Sequence, residues 1–368
     1  MILQLAPDYY NSSIYRSLFR ALANRGFVNH VYVADNISTS AQHENTDTST
    51  IHIAGKTFSP LDRLLYFPKQ KFILDEITHT IPIKDVDIVH AHTLFSSGYS
   101  AYRLWKQYGI PYIVAVRNTD VNVFLHYMKH LAPIGWATLA NASRVVFLSP
   151  VYKQIVLSKY IPRHLRSVIE EKSVVIPNGI NPLFLSETPA RSYDENCIRM
   201  IYIGKIMRLK NIDMILRVCD ILSSEGKNIH LTLVGQIVEK RYSDIANSRS
   251  YITYSPPITP ERVRELLREN DIMLMPSFAE TFGLVYAEAM SQGLPVIYTR
   301  GQGFDGWFAD GEVGYAVSPR NAKEIKQRIA DIYMNYPTIS ERCQQACKQF
   351  DWEQIADSYT SIYNSIIK

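Results

Sequence analysis

Apolar residues in this chain of 368 residues follow two rhythms. In the first half, short runs dense in Val, Ile and Leu recur as MILQLA, NHVYVAD, VDIVHAH, PYIVAVR and SRVVFLS. Near-continuous apolar runs of that length are the pattern of strands buried on both faces. Between them the spacing lengthens to three and four. In NSSIYRSLFRALANRG, Ile14, Leu18, Ala21 and Leu22 share one helical face and Gly26 ends it. The second half repeats the alternation through IRMIYIG, NIDMILRVCDIL, IHLTLVG, ERVRELLREN, DIMLMP, FGLVYAEAMSQG and PVIYTR. Strands alternating with helices predict parallel sheets covered by helices. Two such series predict an α/β protein of two Rossmann-like, doubly wound domains. The turn-rich VVIPNGINPLF, residues 174–184, marks the join, with the first domain expected over 1–177 and the second over 178–350. Ligands of such sheets lie beyond the carboxyl ends of the strands, so the expected site is an interdomain cleft. ISTSAQHENTDTST reads as a polar loop.

Composition narrows the setting. Apolar residues make up 46% and charged residues 20%, the balance of a soluble globular protein. Four cysteines are too few for a disulfide scaffold, and the spacing of Cys343 and Cys347 does not fit a zinc ribbon, so a reducing cytoplasm is expected. MILQLAPDYY lacks the basic lead and apolar core of an export signal, and no run approaches the roughly 20 residues of a membrane span. The net charge of +4 is uneven: residues 1–180 carry 18 Lys+Arg against 12 Asp+Glu, and nine of the ten histidines. A basic, aromatic-rich first half suits an anionic substrate or the surface of an anionic membrane. No dense basic stripe or zinc-finger spacing appears, so nucleic acid is not an expected partner. LDRLLYFPKQKFI, residues 61–73, interleaves apolar residues with Arg63, Lys69 and Lys71. It fits a helix packed on its own domain or one that meets a bilayer or a lipid-linked acceptor.

Candidate chemistry concentrates in PSFAETFGLVYAEAMSQGLPVI, residues 276–297. Glu280 and Glu288 stand among small and apolar residues, where an unpaired buried carboxylate is costly. Glu280 falls in the loop at a strand's carboxyl end, and Glu288 two turns into a helix starting near Thr281 to Gly283. Backbone N–H groups of Phe282, Gly283 and Leu284 can hold an anionic oxygen, and Gly283 permits close approach. Accidental spacing on a solvated face is the alternative. IYIGKIMRLKNIDMIL offers Lys205 and Lys210 after a Gly-ended strand, with Arg208 nearby. Two cations there suit a diphosphate leaving group, or form an exposed basic loop. In PYIVAVRNTDVN, Arg117, Asn118, Thr119 and Asp120 cluster where hydroxyl groups could be recognised. Asp120 either contacts donor or acceptor, or caps the next helix. Ser12 or Ser13 is expected to cap the first helix. His90 and His92 share a strand face, but no third ligand has suitable spacing and no Asp-x-Asp occurs, so no metal is expected.

ETFGLVYAEAMSQGLPVI resembles the E-x7-E signature of retaining glycosyltransferases with the GT-B fold, of the family-four type (glycosyl transferases group 1). IYIGKIMRLKNIDMIL is similar to that family's Gly-Arg-Leu…Lys-Gly stretch, VVIPNGIN to its interdomain turn, and FDWEQIADSYTSIY to a closing helix, residues 351–368, that crosses back to the first domain. The resemblance implies that Glu280 contacts the donor sugar, that Glu288 binds the ribose, and that Lys205 and Lys210 clamp the diphosphate. Lys205 stands where the family usually has Arg, which gives up bidentate geometry. Arg117, Asn118 and Asp120 occupy the place of a family histidine, and the usual N-terminal Gly-Gly loop is missing. The implied reaction moves a hexose from a nucleotide-diphosphate sugar, UDP-sugar by family frequency, to a hydroxyl of a glycan or lipid-linked glycan. It would retain configuration, need no metal or other cofactor, proceed in the cytoplasm or at the inner membrane face, and serve bacterial surface polysaccharide. A GT-B sugar-nucleotide epimerase and a non-catalytic sugar-binding protein stay open. A dehydrogenase is disfavoured, because no strand ends in Gly-x-Gly-x-x-Gly.

Overall fold

The computed structural model describes residues 1–10, 12–34, 50–54, 65–186, 191, 193–194, 196–280 and 282–367. The chain divides into two units: Met1–Leu148 with Tyr152–Gly179 and Trp352–Lys368, and Ser149–Val151 with Ile180–Asp351.

Seven parallel strands build the sheet of the first unit. They are β1 (Ile2–Leu5), β2 (Asn29–Val33), β3 (Thr50–Ala54), β4 (Ile88–Ala91), β5 (Tyr112–Val116), β6 (Arg144–Phe147) and β7 (Ser173–Val175), in the order β3-β2-β1-β4-β5-β6-β7. Its helices are α1 (Ser13–Ala23), α2 (Tyr66–Thr80), α3 (Gly98–Tyr108), α4 (Ala132–Asn141), α5 (Pro150–Ile155) and α6 (Arg163–Glu171). Side chains alternate between two apolar layers, as period-two geometry requires. Leu3, Val89, Val114 and Val145 enter one layer, beneath α2, α3, α4 and α6, while Ile2, Ile88, Ile113 and Val146 enter the other with α1. Burial on both faces is why these strands read as unbroken apolar runs.

The second unit carries six parallel strands: β8 (Ile198–Ile203), β9 (Ile229–Val234), β10 (Ile252–Ser255), β11 (Ile272–Met275), β12 (Val296–Thr299) and β13 (Gly314–Val317). Their order is β10-β9-β8-β11-β12-β13. Around them lie α7 (Ile212–Ser224), α8 (Pro260–Glu269), α9 (Leu284–Ser291), α10 (Ala322–Met334) and α11 (Tyr336–Ala346). Both sheets reverse direction of winding, at β1/β4 and at β8/β11. Loops after those strands frame the crevice of a doubly wound sheet.

The last helix, α12 (Trp352–Ile366), belongs to the first unit. It buries Trp352, Ile355, Tyr359 and Tyr363 in the α1 layer. The Arg25 guanidinium donates to Glu353 and Asp357, each at 2.7 Å. A Cβ on Gly179 would lie 2.5 Å from the Trp352 ring, so glycine is required for that approach.

Four strands go beyond the sequence expectation: β3, β7, β10 and β13. The expected loop over 37–50 lies outside the described residues, except that Thr50 opens β3. Asn11 and residues 61–64, Arg63 included, also lie outside them. Helix α2 is a packed helix: Ile73, Leu74 and Ile77 are buried, while Phe67 and Lys71 are exposed. Ser12 is the cap of α1, its hydroxyl accepting from the Ile14 N–H at 3.4 Å. Among the described residues no helix is long and apolar enough to cross a membrane.

Candidate functional site

In the second unit, the loop after β8 begins where two glycines let the backbone pass another strand. Gly204 and Gly235 have φ of 154° and 139°, and a Cβ on Gly235 would stand 2.0 Å from the Gly204 carbonyl oxygen. The Tyr202 hydroxyl then donates to the Lys205 carbonyl at 2.8 Å, and the Ile206 N–H to that of Gln236 at 2.8 Å. Asn211 closes the loop. It sits in the left-handed region (φ 59°), buried, and its amide donates to the carbonyls of Pro276 at 2.8 Å and Pro319 at 2.7 Å. An Asn tolerates that backbone and supplies two donors at once.

These bonds draw the β8 loop against the β11 loop. The Phe278 N–H donates to Leu209 at 3.0 Å, and the Lys210 ammonium to a Glu280 carboxylate oxygen at 2.6 Å. That ion pair is partly open, with side-chain exposures of 20% and 14%. Glu280 is held from a third loop as well: its N–H donates to the Gln302 side chain at 3.0 Å, and its carbonyl accepts from the Gly303 N–H at 3.0 Å. Gly301 has φ 79°, the left-handed region that favours glycine. Lys205 is exposed in the β8 loop, and among the described residues its ammonium has no hydrogen-bond or ion-pair partner. The Arg208 N–H is taken by Glu239 at 3.0 Å.

Helix α9 starts at Leu284, with Gly283 as its N-cap, one to three residues later than the sequence suggests. A φ of 74° at Gly283 is the reason, since it forms the turn that must precede the helix. A Cβ there would strike the Tyr286 ring at 2.6 Å. The N–H of Leu284 stands at the helix start, where helical geometry leaves donors without an intrahelical carbonyl. The Phe282 side chain points the other way, buried edge-on among Phe304, Trp307 and Phe350. Thr281 lies outside the described residues. Glu288 is the fifth residue of α9, half-buried. Among the described residues no side chain pairs with its carboxylate, and burial pushes its pKa up to about 7.

In the first unit, the loops after β4 and β5 are tied by Asp120, at the start of a π-helical turn over Asp120–Leu125. Its carboxylate accepts from the N–H groups of Leu94 (2.9 Å), Phe95 (3.0 Å) and Arg117 (2.8 Å). Burial nevertheless outweighs those bonds and pushes it up to about 6. Sequence reasoning offered ligand contact or a cap on the following helix. The carboxylate instead points back into the preceding loops and is 1% exposed. The Arg117 guanidinium donates to the His92 carbonyl and the Asn178 side chain, both at 3.0 Å. Asn118, half-buried, accepts from the Asn122 amide.

His90 and His92 are buried side by side, with ring centroids 4.0 Å apart and planes tilted by 31°. His90 Nδ1 bonds the Tyr363 hydroxyl at 2.7 Å, and His92 Nε2 the Gln4 side chain at 2.8 Å. Desolvation holds His90 down to about 3 and His92 well below its usual value, so both rings are neutral. Among the described residues no group of three His, Cys, Asp or Glu could hold a metal ion.

Two family models cover most of the chain: Glycosyltransferase Family 4 matches residues 13–183 and Glycosyl transferases group 1 matches residues 189–350. The chain is 25% identical over 360 residues to an alpha-monoglucosyldiacylglycerol synthase of Acholeplasma laidlawii, covering 92% of this chain and 89% of that protein. Its fold resembles a sucrose-phosphate synthase of Thermosynechococcus elongatus, with TM-score 0.76 and 19% identity over 99% and 98% of the two chains. It also resembles the HepE protein of Anabaena, solved in complex with UDP and glucose, with TM-score 0.68 and 16% identity over 99% of each chain.

Proposed function

Because the chain belongs to the group 1 glycosyltransferases of the family-four type and shares their GT-B fold, we propose that it moves a hexose from UDP-sugar to a hydroxyl of a glycan or lipid-linked glycan, with retention and without a divalent metal. The observation that carries this reading is Glu288: a half-buried carboxylate with no side-chain partner among the described residues, just beyond a loop where Lys210 and Glu280 meet. A fold that leaves a carboxylate desolvated and unpaired spends stability on it, and two ribose hydroxyls are donors that would repay the loss.

In this reading Lys205 and Lys210 neutralise the departing diphosphate, aided by the N–H groups of Gly283 and Leu284, and two cations supply charge that a metal would otherwise bring. Glu280 orients the sugar and supports positive charge at the anomeric carbon as the bond to the phosphate breaks. The bonds of its backbone to Gln302 and Gly303 fix the loop that carries it, and Lys210 holds the carboxylate itself. Asp120 is a positioning residue: it fixes the loops that carry Arg117 and Asn118, which present polar groups toward acceptor or donor sugar. The four cysteines are all free thiols, which supports a reducing compartment such as the cytoplasm, at its membrane face. Bacterial surface polysaccharide is the proposed destination.

A thermal-shift and hydrolysis screen against UDP-, GDP-, ADP- and CMP-sugars with EDTA present tests the reading. A UDP-sugar at 100 times its Kd should add about 2.7 kcal/mol of stability and release UDP slowly. No shift with any sugar nucleotide, or a shift that requires added divalent ion, overturns it.

A further inference from the structure

Away from the β8 and β11 loops, at the end of the second unit's sheet where β8 and β9 begin, a cavity of about 420 Å³ opens between α7 and α10. That is the size of a small-molecule site. Its walls are apolar: Ile198 at the start of β8, Leu222 on α7, and Ile329, Ala330 and Tyr333 on α10. Tyr333 is locked in place. Its hydroxyl donates to the buried Asp271 carboxylate at 3.1 Å, and its ring meets Tyr193 edge-on with centroids 5.9 Å apart. The mouth is fixed as well. Glu225, the C-cap of α7, accepts from the Lys326 ammonium at 2.5 Å, which ties the two helices together beside the cavity. Gly226 (φ 77°) then turns the chain, and the Lys227 N–H donates to the Leu222 carbonyl at 3.1 Å, which sets Lys227 on the rim.

Charge at this mouth is left over on one side. The carboxylates there are engaged: Glu225 by Lys326, Asp331 by Arg328 at 2.9 Å, and Asp194 by the Asn196 N–H at 2.9 Å. The last carbonyls of α7 are taken by N–H groups of its own cap, so the helix end does not hold the Lys227 ammonium. Among the described residues that ammonium has no hydrogen-bond or ion-pair partner. We infer that the cavity binds a small organic anion, its apolar body seated against Leu222, Ile329 and Tyr333 and its single carboxylate, sulfonate or phosphate turned out to Lys227. Burial of the body supplies affinity, and the ammonium on the rim selects for the charge. An uncharged apolar molecule gains nothing from Lys227. A nucleotide would bring a diphosphate to one unpaired cation with no helix N-terminus or glycine loop to receive it. The site requires nothing of the proposed reaction.

Fluorescence titration of the full chain with 8-anilinonaphthalene-1-sulfonate tests it without donor, acceptor or turnover, so failure here leaves the transferase reading standing. The probe carries one anion on an aromatic body and brightens when that body leaves water. It should bind saturably at one site. Lys227→Glu should weaken binding at least about tenfold, yet leave N-phenyl-1-naphthylamine, the same body without the sulfonate, within about twofold. Ala330→Trp, at an exposed position of α10 that lines the cavity, should block both probes. Lys240→Glu is the control for charge. Lys240 follows β9 as Lys227 precedes it, so a strand of six residues separates them, roughly 20 Å or about two Debye lengths at 0.1 M salt. That variant should stay within about twofold for both probes. An unchanged melting temperature shows that each variant is folded. Absence of saturable binding overturns the proposal, as does wild-type affinity for the sulfonate in Lys227→Glu or Ala330→Trp. So does a loss in Lys240→Glu as large as in Lys227→Glu, which would put the probe at the other end of the sheet.

Discussion

Glu288 offers a test that needs no substrate. Its folded pKa is about 7 against an ordinary 4.5, raised by burial alone. For an acid shifted upward, the folded state binds its proton more tightly than the unfolded chain does. The resulting loss of stability is absent below about pH 4.5, grows between the two values and is complete above about pH 7. At 1.36 kcal/mol per pH unit the full loss is about 3 kcal/mol, of which about 1 is already present at pH 5.5. Glu288→Gln removes the ionisation and keeps the shape. Without ligand, the variant should therefore gain about 2 kcal/mol over wild type between pH 5.5 and pH 8.5, several degrees in melting temperature for a unit of this size. Differential scanning calorimetry of both proteins at half-unit steps of pH measures it. With UDP added at saturation the variant's advantage should shrink by about 1.4 kcal/mol, because the variant loses a charge-assisted acceptor for ribose, about tenfold in affinity. Stability curves that run parallel from pH 5.5 to 8.5 would refute the reasoning, since they would mean the carboxylate is solvated in the folded state.

Other substitutions read the remaining parts of the two sites. Glu280→Gln should cut transfer at least about a hundredfold in kcat while UDP affinity, by calorimetric titration, holds within about threefold. Lys210→Met should lower kcat by a similar factor, and a variant as fast as wild type would remove Lys210 from the diphosphate. Asp120→Asn leaves one of three backbone N–H groups poorly served and should cost about 1–3 kcal/mol, read as a drop in the melting of the first unit. Gly235→Ala sets a methyl 2.0 Å from the Gly204 carbonyl oxygen and should destabilise the second unit by more than about 3 kcal/mol, whereas Gly226→Ala, where nothing lies within 4 Å, should cost about 1 kcal/mol from its positive φ.

Much of this architecture is legible in the sequence for one reason: strands buried on both faces need apolar residues at every position, and that pattern survives in any context. β3 and β7 escape it because they are the two edge strands of their sheet, and SVV in β7 is short and only half-buried. Among site residues, Glu280 and Glu288 stand out because carboxylates are rare in such surroundings. Gln302 does not, since its bond to the Glu280 N–H joins loops 22 residues apart and nothing local marks it. Asn211 likewise looks like a solvated loop residue until its amide is seen spanning two carbonyls. Asp120 shows the limit most clearly. Residue type and strand-end position were right for a ligand contact, but the direction of the carboxylate depends on N–H groups 25 and 26 residues upstream.

The return of α12 to the first unit bears on how the protein is made. Residues 180–351 form an uninterrupted stretch with their own sheet, so that unit has all its parts once residue 351 leaves the ribosome. The first unit is synthesised earlier yet must wait, because Arg25 acquires its carboxylates, Gly179 its ring neighbour and the buried His90 its hydroxyl partner only from residues 352–366. Vectorial synthesis thus completes the inserted unit before the one that flanks it, reversing the usual order in which the amino-terminal domain finishes first. Loss of the last helix, by nonsense mutation or proteolysis, strikes a sheet that lies more than 300 residues upstream in the chain, at β1.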